Sequence, residues 1–398
     1  MRVAVRKLQR HLLFEILRTF TLIVTGLTFV LVFVGTVRYA QEYGLAPEHM
    51  LRVMPYFIPS LLPFTIPATL LLTVTIVYGR FAGDLEMTAA KAAGINPLGL
   101  LMPALVVGAV LSAGSFALTD RVGPWAMTQI QAVVVEAIED IVLKQLKNDR
   151  RFAPQVDGLS GLQLTVMDVR ERTLIRPAFD YLRDNGQRYH AEADEAELRF
   201  DMDRSEVVLR MVNCRGDYGE HILNHRGVFE FVIPLRDQFG SPNARDLPMR
   251  RIRMRLDEAA EDARTAAIRR DLLASLAMST GQFELLGEAD AVSQPDDAIR
   301  PKEMRKMRTE LYSRPAMACS CFLFALLGAP FAVLRGKSQF FSTFLFCFLP
   351  IVGVYYPVTL GMMTQTKSGS LDPSWAAWVA DGLLLVAGVV TMAKAVRN

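Results

Sequence analysis

Residues Thr19–Val37 read TFTLIVTGLTFVLVFVGTV, without one Asp, Glu, Lys, Arg or His. As a helix rising 1.5 Å per residue, such a run crosses about 30 Å of hydrocarbon. Five more runs share this character: Val53–Tyr78, Pro97–Leu118, Pro315–Leu334, Phe340–Met363 and Trp375–Ala393. Asp381 is the only one of those five residue types inside any of the six, as expected where an ionised group is costly in lipid. Three runs precede a polar stretch of almost two hundred residues and three follow it. The pattern predicts an α-helical membrane protein with six transmembrane helices (3+3) and a folded domain inserted between the third and fourth.

Bulk composition fits this layout. Hydrophobic residues make up 51% of the chain, yet mean hydropathy is only +0.24, because the polar insert dilutes the spans. A net charge of +3 gives nucleic-acid binding no support. The four cysteines form no disulfide framework: Cys319, Cys321 and Cys347 lie in spans and Cys214 stands alone in the insert. Small apolar packing residues are the ready explanation for the three.

Arg2, Arg6, Lys7 and Arg10 precede the first run, as in a signal peptide. The run exceeds a typical signal core, however, and Arg38 and Tyr39 follow in place of a small-residue cleavage site, so an uncleaved helix is expected. Basic residues at the span ends give the orientation. The N-terminal cations, Arg80, Lys91, Arg335, Lys337, Lys394 and Arg397 fall on one side, and Arg38, Arg52 and Lys367 on the other. The richer side is cytoplasmic, which places both termini inside and the insert outside the inner face, in the periplasm if the cell has two membranes.

Within the insert, Val134, Ile138, Val142 and Leu146 repeat every four residues on one helix face,. From Gly161 short alternating runs take over: Leu162–Val166, Ala196–Phe200, Val207–Met211 and Phe229–Ile233, with turn chemistry at Arg183–Gly186 and Asp201–Arg204,. Many short strands at this spacing predict an antiparallel sandwich or open barrel. The Ala-, Glu- and Arg-rich stretch Leu256–Met278 predicts a helix on or beside that sheet, and Gly281–Pro301 a loop. In span two, Pro55, Pro59, Pro63 and Pro67 recur every four residues along one face. Each removes a backbone donor, which suits a curved helix against a partner or a hinge.

Several motifs carry little chemistry. Arg335-Gly336-Lys337-Ser338 resembles the tail of a phosphate-binding loop, but Phe331 stands where the first glycine belongs and the segment follows a span, not a strand,. His221 and His225 have metal-compatible spacing without a third ligand nearby,. No nucleophile–base constellation stands out, so no enzyme, metal or cofactor is expected in this chain. The segment after span two is more specific: Gly79-Arg80-Phe81-Ala82-Gly83-Asp84-Leu85-Glu86, then Gly94-Ile95 after seven residues. Asp84 is placed to cap a short helix, Glu86 lies in its first turn and Gly94 ends it. Either this is a solvated amphipathic loop or it is a docking helix for a cytoplasmic partner.

Spaced prolines followed by Gly-Arg-(x)3-Asp-x-Glu-(x)7-Gly-Ile resemble the LptF/LptG (YjgP/YjgQ) permeases of the lipopolysaccharide export ABC transporter. The likeness continues through Glu310-Leu311-Tyr312-Ser313-Arg314-Pro315, Ala325–Pro330, Arg335-Gly336, Tyr355-Tyr356 and Trp375–Trp378, and so covers the whole chain. Asp381 departs from it, where a neutral polar residue is commoner.

The resemblance implies residues 1–118 as transmembrane helices one to three with a coupling helix at about 84–94. It implies 119–312 as a periplasmic β-jellyroll-like domain and 313–398 as helices four to six. It also implies an inner-membrane half-transporter that pairs with a second LptF/LptG-type permease over two copies of an ATPase subunit. ATP and Mg would bind in those partners. Lipopolysaccharide would be extracted from the membrane and passed to a periplasmic bridge of similar jellyrolls. Asp84, Glu86 and Gly94 would couple to the ATPase, and Arg38, by its place at the outer end of span one, would meet the lipid's phosphates. Arg38 also suits a plain snorkelling role at a span end. Two other readings stay open: a permease-like subunit of a different ABC machine, separable by the lipid that co-purifies, and a membrane sensor, which would lack an ATPase partner.

Overall fold

A computed structural model of the chain describes residues 2–43, 47–152, 162–170, 173–182, 188–201, 206–218, 221–234, 244–281, 301–335 and 340–397. The expected turns at 183–186 and 202–204, most of the loop after Gly281, and Gly336, Lys337 and Ser338 lie outside them. Six helical segments among these residues are long and apolar enough to cross a membrane: Val5–Gln41, Pro47–Gly83, Pro97–Val134, Pro301–Leu334, Phe344–Ser368 and Pro373–Arg397. The chain is a multi-pass membrane protein.

The described helices are α1 (Arg2–Tyr43), α2 (Pro47–Gly83), α3 (Glu86–Ala92), α4 (Pro97–Ala117), α5 (Gly123–Asp149), α6 (Met249–Thr280), α7 (Pro301–Leu334), α8 (Phe340–Pro350), α9 (Tyr356–Ser368), α10 (Pro373–Ala376) and α11 (Val379–Arg397). Single π-helical turns join α4 to α5 at Leu118–Val122 and α8 to α9 at Ile351–Tyr355. α2 runs without a break past its four prolines.

One compact unit comprises Met1–Val32, Ile58–Trp125 and Ala244–Asn398. Its centre is α7, which packs along α4 and α11. Ala316, Ala318, Cys321, Ala325, Ala329 and Ala332 of α7 are all buried. Side chains this small let neighbouring backbones approach closely, the main route to helix association where lipid is as apolar as the core. The cysteines are free thiols, so their service as small packing residues stands. Leu12, Ile16, Leu70, Val74, Leu100 and Leu101 form the largest cluster around this centre.

The expected Leu256–Met278 helix exists as the longer α6, but it clusters with the membrane helices and not with the sheet. Its first turns explain the difference. Ile252 is fully buried with Leu247 against Met307 of α7, and Leu256 and Leu311 close the same cluster. Ile252 and Leu256, in the first turns of α6, thus found a helical partner, while Ile268, Leu272 and Leu276 further along stay exposed.

The second unit comprises Phe33–Phe57 and Ala126–Asn243. Val53, Ile130 and Val134 pack together, with Tyr39 edge-on to Phe57 at 5.4 Å. Its described residues form nine antiparallel strands, β1 (Arg151–Phe152), β2 (Leu162–Thr165), β3 (Asp168–Arg170), β4 (Thr173–Ile175), β5 (Ala178–Leu182), β6 (Arg188–Glu192), β7 (Glu195–Asp201), β8 (Glu206–Tyr218) and β9 (His221–Pro234). β9 pairs along the length of β8, while the other edge of β8 serves two partners in turn. Its first half pairs with β7 and its second half with β6. From those halves the order runs outward through β4 to β3, and through β5 and β2 to β1. A register shift between Val212 and Cys214, with Asn213 at φ 55°, marks where the halves diverge; a bulge of this kind bends its strand and increases twist. At Gly216 a Cβ would collide with the carbonyl oxygen of His190, so only glycine lets β8 run this close to β6.

The result is an open half-barrel. Val142 and Leu146 of α5 fill it together with Leu164, Leu174, Phe179, Leu209, Met211 and Cys214. The four-residue repeat in α5 and the strand alternation therefore meet in one core. Burial raises the Cys214 thiol pKa above its ordinary value.

Candidate functional site

The turn between α2 and α4 carries Asp84, Glu86 and Gly94 around the short helix α3. α2 ends at Gly83, and the N–H of the following Asp84 still donates to the Arg80 carbonyl at 2.9 Å. The chain then reverses at Leu85, which takes φ 60°, ψ 10° and precedes α3 without any side-chain cap. This corrects the expected role of Asp84. Because α2 runs one turn further than the sequence suggests, Asp84 arrives a residue too early to cap α3.

The other end of α3 closes as expected at Gly94. That residue takes φ 78°, its N–H donates to Lys91 at 2.9 Å, and the Ile95 N–H reaches back to Ala90 at 3.0 Å. This paired pattern satisfies the last carbonyls of a helix and needs a left-handed residue where Gly94 stands. Asn96 then caps α4, its side chain accepting the Leu98 N–H at 3.0 Å.

One side of α3 is anchored and the other is open. Met87 and Ala90 are buried in the largest helix-bundle cluster, beside which Ile95 also packs. Tyr78 is fully buried, and its hydroxyl donates to the Leu100 carbonyl at 2.8 Å. An ion pair between Arg80 and Glu15 ties the end of α2 to α1. Asp84, Leu85, Glu86, Ala89 and Ala93 are exposed, and Leu85 keeps 59% of its surface in contact with solvent. An apolar knob flanked by two carboxylates is thus held on a rigid seat. It suits a partner groove with an apolar floor and cationic or N–H donors at its rim.

Arg38 belongs to the other compact unit, exposed on α1. It stands next to Tyr39, whose ring meets Phe57. Among the described residues no group of His, Cys, Asp and Glu could hold a metal ion. His225 lies exposed in β9 opposite Cys214, and nothing is described of the His221 side chain.

Two buried polar contacts were hidden in the sequence. Arg314 is 2% exposed at its side chain. Its Nη2 donates to the carbonyls of Ala244 and Arg245 at 2.9 and 3.0 Å. Asp120 and Glu310 approach it at 3.7 and 3.9 Å, and Glu310 also pairs with Arg245 at 3.2 Å. Asp120 sits in the π turn after α4 and accepts the Met249 N–H at 2.7 Å, at the start of α6. The end of α4, the chain returning at Ala244–Met249, and α7 are therefore clasped around one guanidinium. The i, i+4 spacing of Glu310 and Arg314 was the one signal in the sequence; the other partners are distant along the chain. In the second contact, Tyr355 closes the other π turn and donates to Asp381 at 3.2 Å. Asp381 is 5% exposed, so the one Asp, Glu, Lys, Arg or His of the six apolar runs is buried among the helices.

A family model described as lipopolysaccharide export system permease LptF/LptG matches residues 10–394. The chain belongs to the LptF/LptG family. The match runs through all six spans, the turn that carries α3 and the inserted half-barrel, so each is part of one permease and not a fused addition. No curated relative matches it. A multi-pass inner-membrane protein follows from the family together with the six spans.

Proposed function

We propose that this LptF/LptG permease forms one half of an ATP-driven exporter, with the turn Asp84–Gly94 as its port to a separate ATPase subunit. The observation that carries the reading is the anchored and open construction of α3. Met87 and Ala90 lie in the same buried cluster as residues of α1, α2, α4 and α7, so a push on the exposed face has a stiff path into the spans. Close packing transmits strain in this way. A second permease of the family completes the transmembrane part, and two ATPase copies bind below it.

The basic-residue asymmetry supports cytoplasmic termini and a periplasmic insert. In that orientation the half-barrel stands in the periplasm, where it passes lipopolysaccharide to a periplasmic bridge. Arg38 then lies at the outer-leaflet head groups, where a guanidinium fork binds phosphate.

Two measurements test the proposal. Co-purification of a cytoplasmic ATPase with the wild type, weakened by Glu86→Lys and less by Glu86→Ala, supports the port; equal recovery with all three overturns it. Labelling in intact spheroplasts of a cysteine at Met167 but not at Ala89, with native thiols replaced, supports the orientation; the reverse pattern overturns it.

A further inference from the structure

Beside the start of α1 lies a groove of about 550 Å³, lined by Arg6, Lys7, Gln9, Arg10, Leu13, Met102, Pro103 and Val106. Arg6, Arg10 and Leu13 fall on one stripe of α1, at i, i+4 and i+7,. Among the described residues none of the three cations has an ion-pair partner, unlike Arg80, Arg245 and Arg314. Glu15 offers no compensation: it falls on the opposite face of α1 and is already paired with Arg80,.

The depth of each residue follows from one hydrogen bond. Gln9 Nε2 donates to the Gly99 carbonyl at 2.6 Å, so the cations stand level with the first turn of α4. Met102 and Val106 then lie roughly 5 and 10 Å further along, at 1.5 Å per residue. Both are more than half exposed, at 51% and 53%. Spans one and three cross in the same direction, so the groove has a cationic mouth at head-group level and an apolar floor that opens into hydrocarbon.

We propose that this groove seats an anionic glycerophospholipid, its phosphodiester on Arg6, Lys7 and Arg10 and its first methylenes on Leu13, Met102 and Val106. A zwitterionic head group would bring an ammonium into a site that already holds three unpaired positive charges. A soluble anion would leave the apolar floor uncovered. The site lies in the leaflet beside the N-terminus, which is the cytoplasmic one on the orientation proposed above. It is therefore distinct from the place where Arg38 is proposed to meet lipopolysaccharide.

The test is native mass spectrometry of the full chain purified in mild detergent, with titration of phosphatidylglycerol and, separately, phosphatidylcholine. The wild type should retain the anionic lipid, and excess inorganic phosphate should not displace it. Each cation near a membrane surface contributes about fivefold in affinity, so Arg6→Gln with Lys7→Gln and Arg10→Gln should weaken binding on the order of a hundredfold. Losing three N-terminal cations also weakens the orientation signal. Val106→Trp is therefore the second variant, since it fills the floor and leaves every charge in place; it should lose the lipid with unchanged melting. Wild-type retention by Val106→Trp and by the triple variant would overturn the proposal. So would equal affinity for phosphatidylcholine, displacement by phosphate, or loss of lipopolysaccharide in place of phospholipid. The spheroplast labelling reads orientation independently, so failure of one inference is distinguishable from failure of the other.

Discussion

Replacing Arg314 by alanine should loosen the clasp between the end of α4, the returning chain and α7. Two charge-assisted hydrogen bonds, to Ala244 and Arg245, contribute about 1.5–3 kcal/mol each. The Asp120 carboxylate at 3.7 Å adds an attraction of about 4–5 kcal/mol at an effective dielectric constant near 20. Desolvation of the guanidinium offsets much of that total. What truncation leaves is the decisive quantity: Asp120 loses this cation, and Glu310, 11% exposed, keeps only the exposed Arg245 as an ion-pair partner. Removing one partner of such a group costs about 3–5 kcal/mol. The assay is hydrogen exchange of the backbone amides of 244–252, because the Met249 N–H is held by Asp120. Local opening made easier by that amount speeds exchange by roughly a hundredfold to several thousandfold. Arg314→Lys keeps the charge and loses the fork, and should fall between. Exchange within threefold of wild type in a folded Arg314→Ala chain would refute the clasp.

At the second polar contact, Tyr355→Phe should destabilise the bundle by about 1–3 kcal/mol by leaving the buried Asp381 without its donor. Asp381→Asn keeps an acceptor without the charge and should melt no lower than wild type; a large drop would show that the carboxylate has another partner. In the half-barrel, His190 meets Asp180 at 2.8 Å and Glu192 at 3.6 Å, and the hydrogen bond to Asp180 raises its pKa above 6.5. The folded state holds the proton more tightly, so this stabilisation is full below pH 6.5 and is lost as pH rises through the raised value. Histidine C2-hydrogen exchange should give His190 an apparent pKa above 6.5 that falls in Asp180→Asn; no change would remove the pairing. Cys214, 1% exposed with its thiol pKa raised by burial, should resist maleimide in the folded chain and react on unfolding. Fast native labelling would place the half-barrel core in doubt.

The six spans were legible because each carries its signal locally: length, apolarity and missing charge need no knowledge of neighbours. The insert was legible at the level of alternation, and Leu164, Leu209 and Met211 do face the shared core. What the sequence could not show was which edge of β8 each strand would take, since that depends on the bulge at Asn213 and the close approach at Gly216. α6 was read as lying on or beside the sheet from its Ala-, Glu- and Arg-rich composition, which names no partner; the structure packs its start, at Ile252, against Met307. Asp84 was misassigned as a cap because helix ends shift by a residue or two with tertiary context. Glu86 and Gly94 kept the placements their local chemistry suggested. The clasp around Arg314 needed Asp120, Ala244 and Arg245 to be neighbours, a fact of topology that no window of sequence contains.

The two π turns mark the chain in a further way. A π turn closes its hydrogen bond one residue later than an α turn, so Leu118–Val122 and Ile351–Tyr355 each hold one residue more than an α-helical path of the same reach. In chain length, then, spans three and five each carry a single-residue surplus. A related permease lacking either surplus would be one residue shorter at that point, and its alignment to this chain would open there. The polar partner would be misplaced with it, since Asp120 and Tyr355 lie within those turns. Gaps at these two positions would thus sort relatives by which buried contact they have kept.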